Sequence, residues 1–350
     1  MAVDKGSWAT QPGLGGRVVA LTGAHGQLGS ELIRRLEADR RYYKVVAFDL
    51  RKPDFPLEKT QFHKIDLTLP NADGHLAAIL RSERVDTLVH LAFLSDFTHR
   101  SSWAHELESI GSMHVLNACS ESQVGRFVMW SQGMCYGANP NNPAYLREDH
   151  PLEAASGPND TFFADKIDAE HQVRQFAQER PEVTVTVLRM APVLSAQSSN
   201  VISRMLTSRT IPVLLGYDPL MQFLHPSDAS SALKQVIDHE HPGVFNIASN
   251  GVLPLRTVIG LLGRLPLPVP ASVASRLGHF LWMGQVVDVP PSFLSFLRYP
   301  CVLDTDKARF ELGFEPEHDI HGILAELAGR PVPVNLQEAA PNVGGEWTAP

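Results

Sequence analysis

Three glycines stand where a predicted strand runs into a predicted helix, within the segment Arg17 to Leu36. Glycines at such a turn allow the backbone to approach a pyrophosphate closely, and the first N–H groups of the helix can donate to the anion. The pattern therefore predicts a dinucleotide-binding loop, with an ordinary strand-to-helix turn as the alternative. The loop residues expected to contact the ligand are Gly23, Gly26, Gln27, Leu28 and Gly29.

Asp49 closes the second predicted strand, 20 residues after Gly29. A carboxylate at that position accepts hydrogen bonds from the ribose hydroxyls of an adenosine and would repel a 2′-phosphate. NAD is therefore favoured over NADP, although Arg51 and Lys52 follow at once and would weaken that preference. A strand end in solvent is the alternative interpretation of Asp49.

The composition restricts the class of protein. Hydrophobic residues make up 44% of the 350 residues and charged residues 19%, as in a chain that buries a sizeable core. A net charge of −8 argues against a nucleic-acid partner, because binding to phosphates needs a basic surface. The three cysteines include no CxxC pair, so neither a disulfide framework nor a metal site is predicted. We expect a protein of the reducing cytoplasm.

Apolar strand-like runs alternate with helical patterns through the first two-thirds of the chain, which is typical of a parallel sheet covered on both faces. The sequence thus predicts an α/β fold: a Rossmann-type doubly wound parallel sheet with a smaller C-terminal substrate lobe. The predicted strands are Arg17 to Thr22, Lys44 to Leu50, Gln61 to Asp66, Thr87 to Ala92, Arg126 to Ser131 and Val183 to Met190. The predicted helices include Gln27 to Ala38, Ser101 to Glu121 and Asp165 to Glu179.

The predicted organisation has two interleaved lobes between flexible ends. The expected divisions are 1–16 for a flexible leader, 17–193 for the NAD(P)-binding domain, which also receives 223–248, 194–330 for the smaller substrate lobe, and 331–350 for a flexible tail. The leader lacks the apolar core of a secretory signal, so export is not expected.

The most apolar late segment runs from Ala271 to Val289 and is interrupted by Arg276, His279 and Gly284. These interruptions leave it short of the continuous apolar stretch that a membrane span needs. A helix of the smaller lobe is favoured over a helix that lies on a membrane surface.

The loop TGAHGQLG has the glycine spacing GxxGxxG and resembles that of the extended short-chain dehydrogenases/reductases, which include NAD-dependent nucleotide-sugar epimerases and dehydratases. Further motifs follow in the family's order across 17–325. Asp66 and Leu67 resemble the family's adenine-contacting pair, and Leu91 and Ala92 belong to a tripeptide similar to its HLA motif beside the nicotinamide ribose. The UDP-glucose 4-epimerase-like members are the most similar. The resemblance implies the fold, an NAD cofactor and a small-molecule substrate such as a nucleotide sugar.

The resemblance also locates the family's catalytic residues, and two of the three differ in this chain. The family uses a tyrosine four residues before a lysine to move the substrate proton, and a serine to align the reacting oxygen. Lys166 matches the lysine, which also holds the nicotinamide ribose, but Phe162 stands in place of the tyrosine. Gln132 occupies the serine position, with Ser131 one residue earlier. Asp165 is a candidate substitute proton carrier, with an acid on a solvated helix face as the alternative.

Three functions stay open at this point. The first is an atypical oxidoreductase or epimerase that acts on a nucleotide-sugar-like or other polar carbinol, with the proton rerouted through Asp165, Ser131 or water. The second is a catalytically silent NAD-binding regulator or sensor. The third is a structural subunit without ligand, against which the intact glycine loop and Asp49 count. The family commonly dimerises through the helices predicted at Ser101 to Glu121 and Asp165 to Glu179, so a homodimer is expected.

Overall fold

A seven-stranded sheet forms the centre of the protein, as seen in a computed structural model that describes residues 16–154, 161–287 and 289–331. The strands are β1 (Arg17–Thr22), β2 (Tyr42–Asp49), β3 (Thr60–Lys64), β4 (Thr87–His90), β5 (Arg126–Gln132), β6 (Thr184–Met190) and β7 (Gly243–Ile247). They lie in the order β3-β2-β1-β4-β5-β6-β7, and every neighbouring pair is parallel. The predicted doubly wound α/β fold is confirmed. Its crevice opens between β1 and β4, where the strand order reverses.

Helices cover both faces of this sheet. Together with those of the smaller lobe, the described helices are α1 (Gln27–Ala38), α2 (Ala72–Ser82), α3 (Ser101–His105), α4 (Gly111–Ser122), α5 (Thr161–Glu179), α6 (Val201–Thr207), α7 (Pro226–Asp238), α8 (Leu255–Leu261), α9 (Ala271–Met283) and α10 (Ile320–Ala328). A π-helical turn, Glu106–Ile110, joins α3 to α4 without a break. In the described part of the chain, no helix is long and apolar enough to cross a membrane.

Two buried clusters hold the helices to the sheet. Leu32 of α1 and Leu233 of α7 pack with Leu21 of β1 on one face. Val115 of α4 and Val173 of α5 belong to the cluster on the other face. Because the inner strands are covered on both sides, their sequences are nearly continuous apolar runs rather than alternating ones.

The smaller lobe is built from α6, α8, α9, α10 and two short ladders. Thr210–Leu214 pairs with Leu265–Val269, and Leu220–Met221 pairs with Leu253–Pro254. The apolar core of this lobe includes Phe162 and Phe163 from α5, so the lobe packs against the first turn of that helix. The division into domains stays a prediction, and residues 1–15 of the predicted leader and 332–350 of the predicted tail lie outside the described residues.

A buried ion pair fastens α5 to the sheet. The guanidinium of Arg189 on β6 and the carboxylate of Glu170 on α5 are both fully buried, with Nε 3.1 Å from Oε1. Arg189 also donates to the hydroxyl of Tyr136 at 2.6 Å, and Ser131 on β5 donates to Glu170 at 2.8 Å. Arg174 contacts the same carboxylate at 3.0 Å from the half-exposed side of α5. This network fixes the helix that carries Phe162 and Lys166.

Removal of the buried arginine should therefore destabilise the fold far more than removal of the exposed one. Arg189→Met leaves the buried Glu170 carboxylate with the half-exposed Arg174 as its remaining counter-charge and should lower the free energy of unfolding by about 3–5 kcal/mol. Arg174→Met, the matched control on the same carboxylate, should lower it by about 1 kcal/mol or less. Urea denaturation followed by circular dichroism measures both, and equal losses would contradict a structural role for the buried pair.

Candidate functional site

The turn between β1 and α1 accepts only glycine at two positions. Gly23 has a φ of +73°, and a Cβ there would lie 2.7 Å from the carbonyl carbon of Leu91 on the neighbouring strand end. A Cβ at Gly29 would lie 2.1 Å from the carbonyl oxygen of Gly23. Gly26 is the N-cap of α1, so no side chain from that position covers the first N–H groups of the helix. The turn is thus a cradle that leaves backbone donors open to an anion.

Asp49 lies at the edge of this cradle. Its carboxylate accepts hydrogen bonds from the backbone N–H of His25 at 2.9 Å and of Leu50 at 2.6 Å. The first of these bonds ties the glycine turn to the end of β2, and the predicted ribose contact of Asp49 stays a prediction. Arg51, the cation predicted to weaken a preference for NAD over NADP, lies in the wall of the adjoining cavity.

The ends of β1 and β4 are joined by a hydroxyl and an imidazole. The Thr22 hydroxyl lies 2.7 Å from Nδ1 of His90 and accepts from the backbone N–H groups of Leu91 and Ala92 at 3.2 and 3.3 Å. Nε2 of His90 lies 3.0 Å from the hydroxyl of Ser112. Burial lowers the pKa of His90 to about 3, so the ring is neutral. The predicted HLA segment is therefore held as the far wall of the crevice.

Asp66 and Leu67 lie farther from the crevice. The carboxylate of Asp66 accepts from the backbone N–H and the hydroxyl of Thr68, at 3.0 and 2.7 Å. Leu67 is buried against Gly111 at the start of α4. The adenine contact predicted for this pair stays a prediction.

A cavity of about 440 Å³ runs from the glycine turn to α5. Its wall contains six of the predicted cofactor-binding residues: Gly23, Gly26, Gln27, Leu28, Gly29 and Leu91. Gln132 and Phe162, from the predicted catalytic positions, line the other end. Asp49, Asp66, Leu67, Ala92 and Lys166 are not in the wall. One continuous cavity therefore joins the two predicted halves of the site.

Phe162 belongs to an aromatic cluster that closes the far end of the cavity. The side chain is 9% exposed, and its ring centroid lies 4.4 Å from that of Phe97 and 5.1 Å from that of Phe163. Phe97 in turn contacts Phe293 of the smaller lobe, with centroids 5.7 Å apart. The position that carries a phenol in the family is thus packed as a hydrophobic residue.

Lys166 is buried and is paired with Glu108, a residue that the sequence analysis missed. Its ammonium contacts the Glu108 carboxylate, donates to the carbonyl oxygen of Leu94 at 2.9 Å, and lies 4.2 Å from the ring centroid of Phe162. Glu108 accepts a further hydrogen bond from the backbone N–H of Leu94 at 2.7 Å. Burial raises the pKa of Glu108, whereas the adjacent ammonium of Lys166 opposes that rise and favours the carboxylate. The charge of the motif lysine is therefore matched inside the protein.

The π-helical turn is what brings Glu108 to the lysine. One extra residue per turn shifts the register of the helix locally, and such turns recur at functional sites. In the sequence, Glu108 precedes the small residues Ser109, Gly111 and Ser112 on a helix that packs against the sheet. That signal predicts a buried polar position, but no rule of helical spacing predicts the π register.

Of the remaining candidates, Ser131 and Asp165 are not in the cavity wall, whereas Gln132 is. The Ser131 hydroxyl points to Glu170, whereas Gln132 lies in the cavity wall with its amide nitrogen 3.4 Å from the carbonyl oxygen of Leu94. Asp165 is 6% exposed, and its carboxylate lies 2.7 Å from Nδ1 of His105 on α3. Asp165 is therefore a buried acid paired with a histidine. The interpretation of Asp165 as an acid on a solvated helix face is wrong.

The sequence of this chain matches the model of one protein family. The model of the NAD dependent epimerase/dehydratase family matches residues 19–248. The chain belongs to that family. An uncharacterized protein of Mycobacterium bovis is 31% identical over 309 residues, which cover 86% of this chain and 80% of the relative. The family membership confirms the resemblance to extended short-chain dehydrogenases/reductases that the motifs indicate.

Solved structures with the same fold come from sugar-nucleotide enzymes. The dTDP-glucose 4,6-dehydratase from Bacillus anthracis in complex with NAD has a TM-score of 0.68 at 19% identity, over 89% of this chain and 96% of that one. The UDP-glucose 4-epimerase from Thermotoga maritima with UDP-glucose has the same TM-score and identity, over 89% and 97%. At this identity the likeness shows the fold. The NAD in the first structure supports a cofactor of that type for the epimerase/dehydratase fold.

The glycine cradle should tolerate no side chain at Gly29. Gly29→Ala forces its methyl group against the carbonyl oxygen of Gly23, and overpacking of this kind typically costs about 1–3 kcal/mol. Gly74→Ala is the matched control, because no atom lies within 4 Å of a Cβ built on that helical glycine. It should be neutral or stabilise the fold by up to about 1 kcal/mol. Chemical denaturation measures both, and a neutral Gly29→Ala variant would contradict the described turn.

The His105–Asp165 pair should make stability depend on pH. The hydrogen bond to Asp165 raises the pKa of His105, so folding binds a proton at this site. The resulting stabilisation is fully present below the ordinary imidazole pKa of about 6.5 and is lost as the pH rises through the higher value of the folded state. Since the histidine side chain is 51% exposed, the effect should be about 1 kcal/mol or less.

Denaturation of the native chain and of His105→Asn across this pH range isolates that effect. The difference in unfolding free energy between the two should be largest at acidic pH and should shrink as the pH rises. Asp165→Asn should flatten the profile to the same extent, and the double variant should add nothing. A constant difference at all pH values would show that the pair does not bind the proton.

Proposed function

We propose that this chain binds NAD in the glycine cradle and does not perform the proton transfer that its family couples to hydride transfer. It would act as a catalytically silent, NAD-responsive binding protein. One observation carries the proposal. Among the described residues that line the cavity, Arg51 at the cofactor end is alone in having an ionisable side chain, and an arginine stays protonated.

The cradle supports NAD as the ligand. Gly23 and Gly29 allow the backbone of the turn to pack more closely than any Cβ would permit, and α1 begins there with open N–H groups that a pyrophosphate would approach. The carboxylate of Asp49 lies at the edge of the same turn, where it would meet the adenosine ribose and disfavour a 2′-phosphate. The preference for NAD over NADP is part of the proposal.

The other end of the cavity supports the absence of acid–base chemistry. A bound nicotinamide supplies a hydride donor or acceptor, and a carbinol can exchange a hydride only if its oxygen also changes protonation. General acid–base groups contribute roughly 10²–10⁴ in rate to such steps. Phe162 has no proton to give, Ser131 is engaged by Glu170, and Asp165 is engaged by His105.

The pairing of Lys166 with Glu108 is a second departure from the family's catalytic arrangement. In the family the lysine lowers the pKa of the tyrosine and holds the nicotinamide ribose. Here its ammonium is committed to Glu108 and to the carbonyl oxygen of Leu94. Restoring the phenol alone would therefore not restore an activated phenol, because the cation beside it is already neutralised by a carboxylate.

A second candidate function is an atypical oxidoreductase or epimerase that acts on a polar carbinol such as a nucleotide sugar. Gln132 favours it, since its side-chain amide lies in the cavity wall at the family's serine position and could bind a substrate oxygen. Proton transfer would then have to use water. The homodimer and the cytoplasmic location stay predictions.

Absorbance at the reduced-nicotinamide band separates the two candidates. The purified chain with NAD and each of a panel of nucleotide sugars should show no change in absorbance and no converted sugar. Phe162→Tyr should stay inactive, because Glu108 still neutralises Lys166, and Phe163→Tyr is the matched control one position along the same helix. Turnover by the native chain would overturn the proposal in favour of the second candidate. Turnover gained by Phe162→Tyr alone would contradict the role given to Glu108.

A further inference from the structure

Helix α9 turns its apolar side chains outward. None of its 13 residues is buried. Val273, Leu277, Phe280 and Met283 are between 50% and 74% exposed, and they follow one another at intervals of four, three and three residues. This spacing places them on one face of a helix. The result is a continuous apolar stripe that faces away from the protein.

The opposite face of α9 is the one that holds the helix to the lobe. A Cβ built at Gly278 would lie 3.7 Å from Leu294. The hydroxyl of Ser275 accepts from Arg298 at 3.0 Å, and Trp282 stacks on His99 with ring centroids 3.9 Å apart. The helix is therefore seated by small and polar contacts, and its outward stripe is left for another occupant.

The charge around α9 differs from that of the rest of the chain. Residues 241–287 contain three arginines and no aspartate or glutamate, whereas the whole chain has a net charge of −8. The stretch is bounded by Glu240 and Asp288. Arg276 is exposed on α9 itself, and Arg298 donates to the hydroxyl of Ser275 on the same helix. An apolar stripe with arginines and no acidic side chain on its own helix complements a surface that is both apolar and anionic.

We propose that α9 docks the protein on the surface of an anionic lipid bilayer. The stripe from Val273 to Met283 would enter the boundary between headgroups and acyl chains, and Val286, which is 71% exposed, would follow just after the helix ends. At 1.5 Å per residue, a helix of this length is about 20 Å long, which is too short to cross the hydrocarbon core of about 30 Å. It therefore lies in the plane of the membrane.

A second copy of this chain is a poorer occupant. In a two-fold symmetric contact through α9, residue i of one copy meets residue j of the other and residue j meets residue i, so residues near the middle of the helix lie close to their own equivalents. Such a contact would bring the two copies of Arg276 together, with no acidic side chain on α9 to balance them. Anionic headgroups supply that balance.

The lipid-facing helix lies close to the cavity described above. Leu294, which α9 covers at Gly278, belongs to the 3-10 segment Pro291–Leu297. Phe293 in that segment contacts Phe97, and Phe97 contacts Phe162. Docking through α9 would thus place the aromatic end of the cavity a few side chains from the lipid surface.

Co-sedimentation of the full chain with vesicles tests the proposal. The native chain should sediment with vesicles of equal parts phosphatidylglycerol and phosphatidylcholine and stay in solution with phosphatidylcholine alone. Binding should weaken as salt is added, because exposed charges are screened. The double variant Leu277→Gln/Phe280→Gln should bind at least about tenfold less well, because two apolar side chains no longer leave water.

The matched control is Phe310→Gln, which changes a phenylalanine that is 79% exposed elsewhere on the surface and should bind like the native chain. Equal loss in this control would overturn the assignment to α9. Failure of the native chain to bind anionic vesicles at low salt, or equal binding to both kinds of vesicle, would overturn the proposal. A dimer in solution that the double variant dissociates, without vesicle binding, would assign the stripe to a second copy. None of these results depends on whether the chain binds NAD.

Discussion

A buried ammonium group has to be paired, and in this protein the partner of Lys166 is Glu108. That requirement accounts for several features that would otherwise be separate. The helix between β4 and β5 contains a π-helical turn that includes the glutamate. In the segment after β4, the carbonyl and the N–H of Leu94 meet the lysine and the glutamate. The lysine side chain then lies along Phe162 instead of a phenol. The pair sets the chemistry that the cavity can offer.

Backbone groups form one end of the cavity, and side chains form the other. At the end with the glycine turn the backbone forms the wall, because Gly23 and Gly29 bring peptide groups closer together than any side chain would permit. At the other end side chains fill the space, and aromatic rings stand where the family has its proton carrier. A protein can keep one end and change the other because they rest on different elements: β1 and α1 for the cradle, α5 and the smaller lobe for the aromatic wall.

The sequence predicted most of the sheet and the glycine-turn residues that line one end of the cavity, for identifiable reasons. Strand β1 and helix α1 fall at their predicted bounds because an apolar run, three glycines and a helical stripe agree there. Helix α2 is less evident in the sequence, since Asp73 and Gly74 in its first turn obscure the apolar spacing of Leu76, Ala77 and Leu80. The Glu108–Lys166 pair joins residues 58 positions apart through a π register. No local pattern encodes such a contact.

Isothermal titration calorimetry of NAD into the full chain tests most directly whether the glycine cradle holds the cofactor. We expect saturable binding of one NAD per chain, weaker binding of NADP, loss of binding in Gly29→Ala and unchanged binding in Gly74→Ala. Absence of heat from either dinucleotide at millimolar concentration would contradict it. The cradle would then be a structural turn, and the family's cofactor would have been lost together with its tyrosine.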